Sequence, residues 1–385
     1  MLRQIWIVSA LNFKSLRSRF WQSMVVVVGL AATIGVMLSL LSVSTGMRQA
    51  YYASGDPNRA IIVAKGIENE GSSSISRAHA PIISVAPGIA KDKDGKPLAD
   101  RTLMTGVPLL RKDGSKGFTS MRGLSEKGLG VRPEIKIVQG RMFQAGKREL
   151  IAGIGAQASF QHMQIGDKVI LPDGEWPIVG TYESGSQLDG QLLGDTETLL
   201  TSLHKPVYTT MLVRLASPDS LDTLKKAMTT NPALSVDVIR HSDWYKRVGD
   251  QATFALALLG YVVGTVMAIG ALFGCLNTMY SAVSSRGREI ATLRALGYGA
   301  FPVAVSVILE AVLLSVTGAL IGAGIAWTVY DGKLDLFANV IFRLSVSPAQ
   351  IGLGVTWAAA VALLGGLFPA IRAARRPVVE ALRAT

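Results

Sequence analysis

Residues 284–310 read SSRGREIATLRALGYGAFPVAVSVILE and form a short basic segment between two long apolar runs. Within this segment, Ile290, Leu293 and Leu296 recur at helical spacing, and the charged residues lie largely on other sides. Gly297 follows and predicts the end of the helix. A short amphipathic helix between two apolar runs can neither enter a bilayer nor leave it. We therefore expect it to lie at a membrane surface and to be bound there by another protein.

The composition indicates that part of the chain is not surrounded by water. Only 17% of the 385 residues are charged and 49% are hydrophobic, whereas about 25% of a typical soluble protein is charged. The net charge of +12 is not concentrated in one folded region, as nucleic-acid binding would require. Residues 48–250 carry 26 basic and 22 acidic residues, whereas segments 1–19, 280–300 and 372–385 together carry 11 and 2. This distribution is typical of cytoplasmic ends of membrane helices, and nucleic acid is not an expected partner.

The apolar runs predict an integral membrane α-helical protein with four transmembrane helices and a large α+β extracytoplasmic domain between helices 1 and 2. The predicted segments are a cytoplasmic amphipathic helix at 1–19, transmembrane helix 1 at 20–47, the extracytoplasmic domain at 48–250, transmembrane helix 2 at 251–280, a cytoplasmic loop at 281–300, transmembrane helix 3 at 301–328, an outer loop at 329–349, transmembrane helix 4 at 350–371 and a cytoplasmic tail at 372–385. The first run is longer than a signal-peptide core, so we expect it to be retained. The one cysteine, Cys275, excludes an intrachain disulfide.

Short β-branched runs separated by Gly and Pro predict the strands of the extracytoplasmic domain. The predicted strands are 60–64, 82–86, 102–107, 135–138, 149–152, 168–171, 176–181, 207–215 and 234–239. Two helices are expected among them, at 155–163 and 219–229.

Three motifs resemble the permease subunits of MacB/FtsX-type ABC transporters. The segment R-x-R-E-I-x-x-L-R-A-L-G at 286–297, followed by E-A-x-L-L-S at 310–315, is similar to the coupling region of that family. The family's C-terminal pattern G-x-x-P-A-x-x-A-A-x-x-x-P-x-x-A-L is met by Gly366, Pro369, Ala370, Ala373, Ala374, Ala381 and Leu382. Pro377 departs from that pattern, because it falls one position early. The run R-E-L-I-A-G-I-G-A at 148–156 is similar to the family's extracytoplasmic module.

The resemblance implies a permease subunit of the bacterial inner membrane that works with a separate ABC ATPase. ATP and Mg²⁺ would then bind to that ATPase, and no cofactor is expected on this chain. The residues implied in ATPase coupling are Arg286, Arg288, Glu289, Ile290, Leu293, Arg294 and Leu296. Other implied partners are lipid, a second permease protomer, identical or different, and a periplasmic adaptor. The C-terminal motif residues are Pro369, Arg372, Arg375 and Pro377.

The family resemblance leaves two functions open. In the first, ATP-driven motion is transmitted to the outer domain for export or extraction of a hydrophobic or lipid-like cargo. In the second, the chain is an FtsX-like regulatory permease that activates an extracytoplasmic cell-wall hydrolase. The size of the outer domain favours the first.

In the coupling segment, residues 286–297, Leu293 and Ile290 are the expected apolar anchor for the ATPase. We expect this anchor to contribute more to binding than any single charge at its rim. A buried leucine contributes about 1.5–3 kcal/mol, whereas an exposed ion pair contributes under about 1 kcal/mol. We therefore expect Leu293→Asp to uncouple the complex more than Arg286→Ala.

Glu310 and six glycines lie inside the predicted transmembrane helices. A carboxylate within a bilayer requires a partner, hydration or a proton. No basic residue is expected at the depth of Glu310 in this chain, so it either pairs with a second protomer or bonds to nearby serines. Small residues four apart favour close helix packing or dimerisation. They are Gly260, Gly264, Gly270, Gly274, Gly318 and Gly322.

Several common enzymatic motifs are absent from these 385 residues. There is no G-x-x-x-x-G-K-[ST], so the chain has no P-loop of its own. The segment 153–155 lacks the rest of a dinucleotide fingerprint, and 92–95 lacks the remaining ligands of a calcium loop. His79, His162, His204 and His241 are scattered, without metal-ligand spacing. A membrane-anchored enzyme is therefore disfavoured.

Overall fold

The computed structural model describes residues 4, 6–8, 20–125, 128–337 and 340–375. They form two compact units. The first takes in the described residues up to Thr45, Phe254–Lys333 and those from Leu344 onward. The second takes in Gly46–Thr253 and the described part of Leu334–Arg343.

The helices are α1 Phe20–Ser54, α2 His79–Ser84, α3 Gly128–Val131, α4 Ile154–Ser159, α5 Thr196–Ser202, α6 Ser220–Thr230, α7 His241–Ser285, α8 Gly287–Ala295, α9 Ala300–Tyr330 and α10 Pro348–Arg375. The strands are β1 Arg59–Ala64, β2 Ile75–Ser76, β3 Ala99–Leu110, β4 Lys116–Leu124, β5 Lys136–Gly140, β6 Leu150–Gly153, β7 Lys168–Leu171, β8 Gly174–Glu183, β9 Leu192–Asp195, β10 Val207–Tyr208, β11 Thr210–Arg214, β12 Val236–Arg240, β13 Leu334–Phe337 and β14 Val340–Arg343. Within the described residues, short 3₁₀ helices also lie at Glu70–Ser72 and Gln187–Gly190.

Four helices in the described part of the chain are long and apolar enough to cross a membrane. They are α1, α7, α9 and α10, and they contain the four predicted apolar runs. Both α1 and α7 are longer than those runs, because their polar ends continue the helix to Ser54 and from His241.

The first unit is built by packing the long helices through small residues. A Cβ added at Gly365 of α10 would lie 2.9 Å from Cys275 Sγ on α7, and one at Gly366 would lie 3.1 Å from the Ala311 Cβ on α9. A larger side chain at either position would therefore require its neighbour to shift. The buried residues between the helices, such as Leu38 of α1, form one apolar core.

The second unit is organised around a ten-stranded mixed sheet. Its strand order is β12-β1-β11-β3-β4-β9-β6-β8-β5, with β7 paired to β8. The pairs β4–β9 and β6–β8 are parallel, and the other pairs of this sheet are antiparallel.

Strand β1 shows how this sheet separates two cores. Ala60 and Ile62 face a large apolar cluster on one side. Ile61 and Val63 face the other side, where Trp244 in the first turn of α7 packs against them. This alternation follows from the two-residue period of a strand.

Most predicted strands overlap observed ones, but the strand predicted at 82–86 is wrong. These residues fall at helix α2 and just after it, and Pro81 lies in the first turn, where a proline removes no helical hydrogen bond. The prediction also missed β4 and β9. Strand β4 has glycines at both ends of KGFTSMRGL, and β9 has only four residues. The outer loop predicted at 329–349 contains the β13–β14 pair.

Candidate coupling site

Helix α8 lies between α7 and α9 and ends at a glycine, as the sequence predicts. Gly297 adopts φ +92°, a conformation that favours glycine. Its N–H donates to the Arg294 carbonyl at 3.1 Å, and the Tyr298 N–H donates to the Leu293 carbonyl at 3.1 Å. These two bonds form a Schellman motif, which ends the helix and turns the chain toward α9.

Helix α8 has a buried side that faces its own chain. Ala291 is 3% exposed, and Ile290 packs against a small core that includes Val283, Val303 and Ala370. Leu293 is half-buried and lines a cavity of about 20 Å³, beside Arg286 and Glu310. Ile290 therefore holds α8 to α7, α9 and α10.

The other side of α8 carries exposed residues. Arg288 and Glu289 are exposed, and Leu296, just after the helix, is 72% exposed. Ile290 and Leu293, the two residues predicted as the apolar anchor, are half-buried, whereas Leu296, the other apolar residue of the predicted coupling set, is strongly exposed.

Arg286 and Glu310 form a buried ion pair. Arg286 Nη1 lies 3.0 Å from Glu310 Oε2, and the two residues are 4% and 3% exposed. The expectation that Glu310 has no basic partner within the chain is therefore wrong. Arg286 immediately precedes α8, and Glu310 lies in α9, so the pair ties the start of α8 to a long apolar helix. We expected Leu293→Asp to uncouple the complex more than Arg286→Ala because we took Arg286 to be a surface charge. Arg286 is in fact buried.

The C-terminal motif lies beside the coupling segment. Arg294 Nη1 donates to the Ala374 carbonyl at 3.1 Å, near the end of α10. The Arg372 guanidinium carbon lies 5.6 Å from the centroid of the Tyr280 ring. Arg375 is exposed and Pro369 is buried within α10, while Pro377 lies outside the described residues.

Gly318 and Gly322 allow α9 to approach α1. A Cβ at Gly318 would lie 2.6 Å from the Val27 carbonyl oxygen, and one at Gly322 would lie 2.2 Å from the Ala31 carbonyl oxygen. Real Cβ atoms do not come this close to backbone, so these two positions require glycine at this helix separation.

The glycines of α7 fall into two groups. A Cβ at Gly260 would lie 3.1 Å from Leu41 Cδ2, and one at Gly264 would lie 2.9 Å from Met37 Cγ, both on α1. No described atom lies within 4 Å of a Cβ built at Gly270 or Gly274. Dimerisation through these two stays a prediction.

Adding a methyl group at Gly322 should destabilise the first unit. We expect Gly322→Ala to lower the free energy of unfolding by about 1–3 kcal/mol, because α1 and α9 must separate to admit the Cβ. Gly324→Ala is the matched control, since no described atom lies within 4 Å of its Cβ position. Thermal unfolding of the full chain in detergent tests this, and equal midpoints for the two variants would contradict it.

The second unit contains buried ion pairs that the sequence did not predict. Arg122 pairs with Glu70, and Arg132 pairs with Asp100, each at 2.8 Å, and none of these residues is more than 7% exposed. Burial alone would lower the pKa of Arg122, but the Glu70 carboxylate raises it above its usual value. Burial lowers the pKa of Arg132. No pattern in the sequence pairs these residues, because 52 and 32 positions separate them.

The described residues hold no group of three or more His, Cys, Asp or Glu side chains arranged to bind a metal ion.

Two protein-family models match this chain. The MacB-like periplasmic core domain model matches residues 23–231, which is more than half of the chain, and the FtsX-like permease C-terminal model matches residues 261–378. The chain belongs to the MacB/FtsX family of ABC transporter permeases. The predicted family, the inserted extracytoplasmic domain and the location as a multi-pass protein of the cell membrane are confirmed.

Relatives of this MacB/FtsX-family permease differ in the length that they share with it. It is 24% identical to the "Uncharacterized ABC transporter permease YvrN" of Bacillus subtilis (strain 168), over 97% of this chain and 98% of that protein. It is 25% identical to the "Macrolide export ATP-binding/permease protein MacB" of Psychrobacter cryohalolentis, over 47% of this chain and 30% of that protein. The permease thus spans under a third of this MacB.

Among solved structures, the periplasmic region of MacB from Actinobacillus actinomycetemcomitans is similar to the permease, with a TM-score of 0.38 and 16% sequence identity. The match covers 51% of this chain and 94% of that one.

Proposed function

We propose that this permease transmits ATP-driven motion from a separate ABC ATPase to its extracytoplasmic domain. The observation that carries the proposal is the construction of α8. Its outer side presents Arg288, Glu289 and the 72% exposed Leu296, while its inner side is held by Ile290 and by the Arg286–Glu310 pair. A helix fixed on one side and exposed on the other passes on a push applied to its exposed side.

The exposed surface suits a protein partner better than lipid alone. An exposed leucine beside charged residues matches the usual composition of an interface, in which an apolar anchor is surrounded by a polar rim. The sequence contains no P-loop, so ATP and Mg²⁺ would be held by the partner ATPase.

We propose that this motion drives the export or extraction of a hydrophobic or lipid-like cargo outside the bilayer. Four spanning helices per chain are few for enclosing a path across the membrane, and the second unit is large. A second protomer and a periplasmic adaptor are proposed partners, since captured cargo must be passed onward.

Replacing Leu296 with aspartate should weaken ATPase binding about 10- to 100-fold. This range corresponds to the roughly 1.5–3 kcal/mol that a buried leucine contributes. The measurement is the affinity of the ABC ATPase encoded beside the permease, with the permease in nanodiscs, together with its stimulated ATPase rate. Arg288→Ala is the control on the same surface and should change the affinity less than about 5-fold. An affinity for Leu296→Asp equal to that of the unmodified chain would show that α8 is not the coupling helix.

The FtsX-like regulatory role remains the second candidate, and copurification separates the two. Recovery of an adaptor or outer-membrane channel with the ATPase complex supports export. Recovery of a cell-wall hydrolase supports regulation.

A further inference from the structure

Buried polar side chains of the second unit meet near the start of α7. One carboxylate oxygen of Glu70 accepts a hydrogen bond from the Tyr245 hydroxyl at 3.1 Å, and the other accepts one from Arg122 Nη1 at 2.8 Å. Arg122 Nε in turn donates to Gln191 Oε1 at 3.1 Å. All four residues are at most 7% exposed. A chain of buried bonds therefore leads from α7 to the strands of the sheet.

At one end, this series of hydrogen bonds reaches strands in the middle of the sheet. Arg122 lies in β4, which is paired with β3 on one side and β9 on the other. Gln191 immediately precedes β9. A displacement of the Arg122 side chain would therefore act on strands in the middle of the ten-stranded sheet rather than at its edge.

At the other end of this series of hydrogen bonds is Tyr245 of α7, a helix that also contributes residues to the first unit. Tyr245 lies in α7, which continues to Ser285, directly before Arg286. Its neighbour Trp244 packs against apolar residues such as Ile61 and Val63. The hydrophobic contribution of such contacts is not directional.

Directional contacts behave differently from the apolar ones. In a low-dielectric interior, hydrogen bonds to a carboxylate are strong and depend on geometry. A buried ion pair is weak evidence for stability, because apolar residues of the same size are often as stable. The Glu70–Arg122 pair at this position therefore favours a role in fixing the geometry between α7 and the sheet.

We propose that Tyr245 is a positioning residue that passes movement of α7 to the sheet through Glu70 and Arg122. This inference rests on the proposed function, because it requires ATP-driven movement of α7. It assigns the point at which that movement enters the extracytoplasmic domain.

The test uses the full chain assembled with its ABC ATPase in nanodiscs. Hydrogen exchange of β4 and β9 is compared with and without ATP and vanadate, alongside the ATPase rate and the thermal midpoint. Tyr245→Phe removes one hydroxyl and keeps the ring. Tyr208→Phe is the matched control, since Tyr208 is also buried in the second unit and donates to a carboxylate, that of Glu197, without being part of α7.

We expect the unmodified complex to show an ATP-dependent change in exchange. Tyr245→Phe should reduce that change at least twofold while the ATPase rate stays within twofold. Tyr208→Phe should keep the full change. A full change in Tyr245→Phe, or an equal loss in both variants, would overturn the inference and leave the proposed function standing. An ATPase that does not bind, or an unmodified complex without any change, would overturn the proposed function and this inference with it.

Discussion

Replacing Arg286 with methionine is expected to lower the free energy of unfolding by about 3–5 kcal/mol, because it removes the guanidinium that pairs with the buried Glu310 carboxylate. Glu310 is 3% exposed in α9, and Arg286 Nη1 lies 3.0 Å from it. Methionine preserves much of the volume of the arginine stem, so the loss reports the charge more than the packing. The measurement is denaturant or thermal unfolding of the full chain in detergent.

Two further variants isolate the ion pair as the cause. Arg288→Met makes the same chemical change on the exposed side of α8 and should alter stability by no more than about 0.5 kcal/mol. The double variant Arg286→Met with Glu310→Met should recover most of the loss, because two apolar side chains can replace a buried ion pair at little cost. Equal stability of Arg286→Met and Arg288→Met would refute the buried pair.

Removing the carboxylate of Asp100 should destabilise the second unit by a similar amount. Asp100 is fully buried, and one of its oxygens accepts from Arg132 Nη1 at 2.8 Å. The other accepts from the N–H and the hydroxyl of Ser125, each at 2.8 Å. Asp100→Ala would leave a buried guanidinium and a backbone donor without these bonds, so we expect a loss of about 3–5 kcal/mol.

Tryptophan fluorescence can follow this change, because Trp176 and Trp244 are buried in the second unit. Asp94→Ala, at an exposed turn, is the control and should shift stability by at most about 0.5 kcal/mol. Asp100→Ala with the same unfolding midpoint as Asp94→Ala would show that this network does not stabilise the unit.

Several features were predictable because they depend on neighbours in sequence. The end of α8 follows from Gly297, since only a local change in φ is needed to stop a helix there. The strand predicted at 82–86 is a case where the local preference did not decide: β-branched Ile82 and Ile83 favour a strand, but in the domain they lie in α2. Side-chain propensity is a weak preference that tertiary packing overrides.

The amino-acid sequence by itself determined the four membrane-crossing helices, the inserted domain and the position of the coupling segment. Long apolar runs and basic flanks decide these features whatever the rest of the fold does. Only the tertiary structure decided which residues of that segment are buried and which are exposed. Arg286 reaches Glu310, Ile290 packs inward and Leu296 is exposed, because α8 packs against α7, α9 and α10 on its Ile290 side. Periodicity identifies the faces of a helix, but the neighbouring helices determine which face is buried.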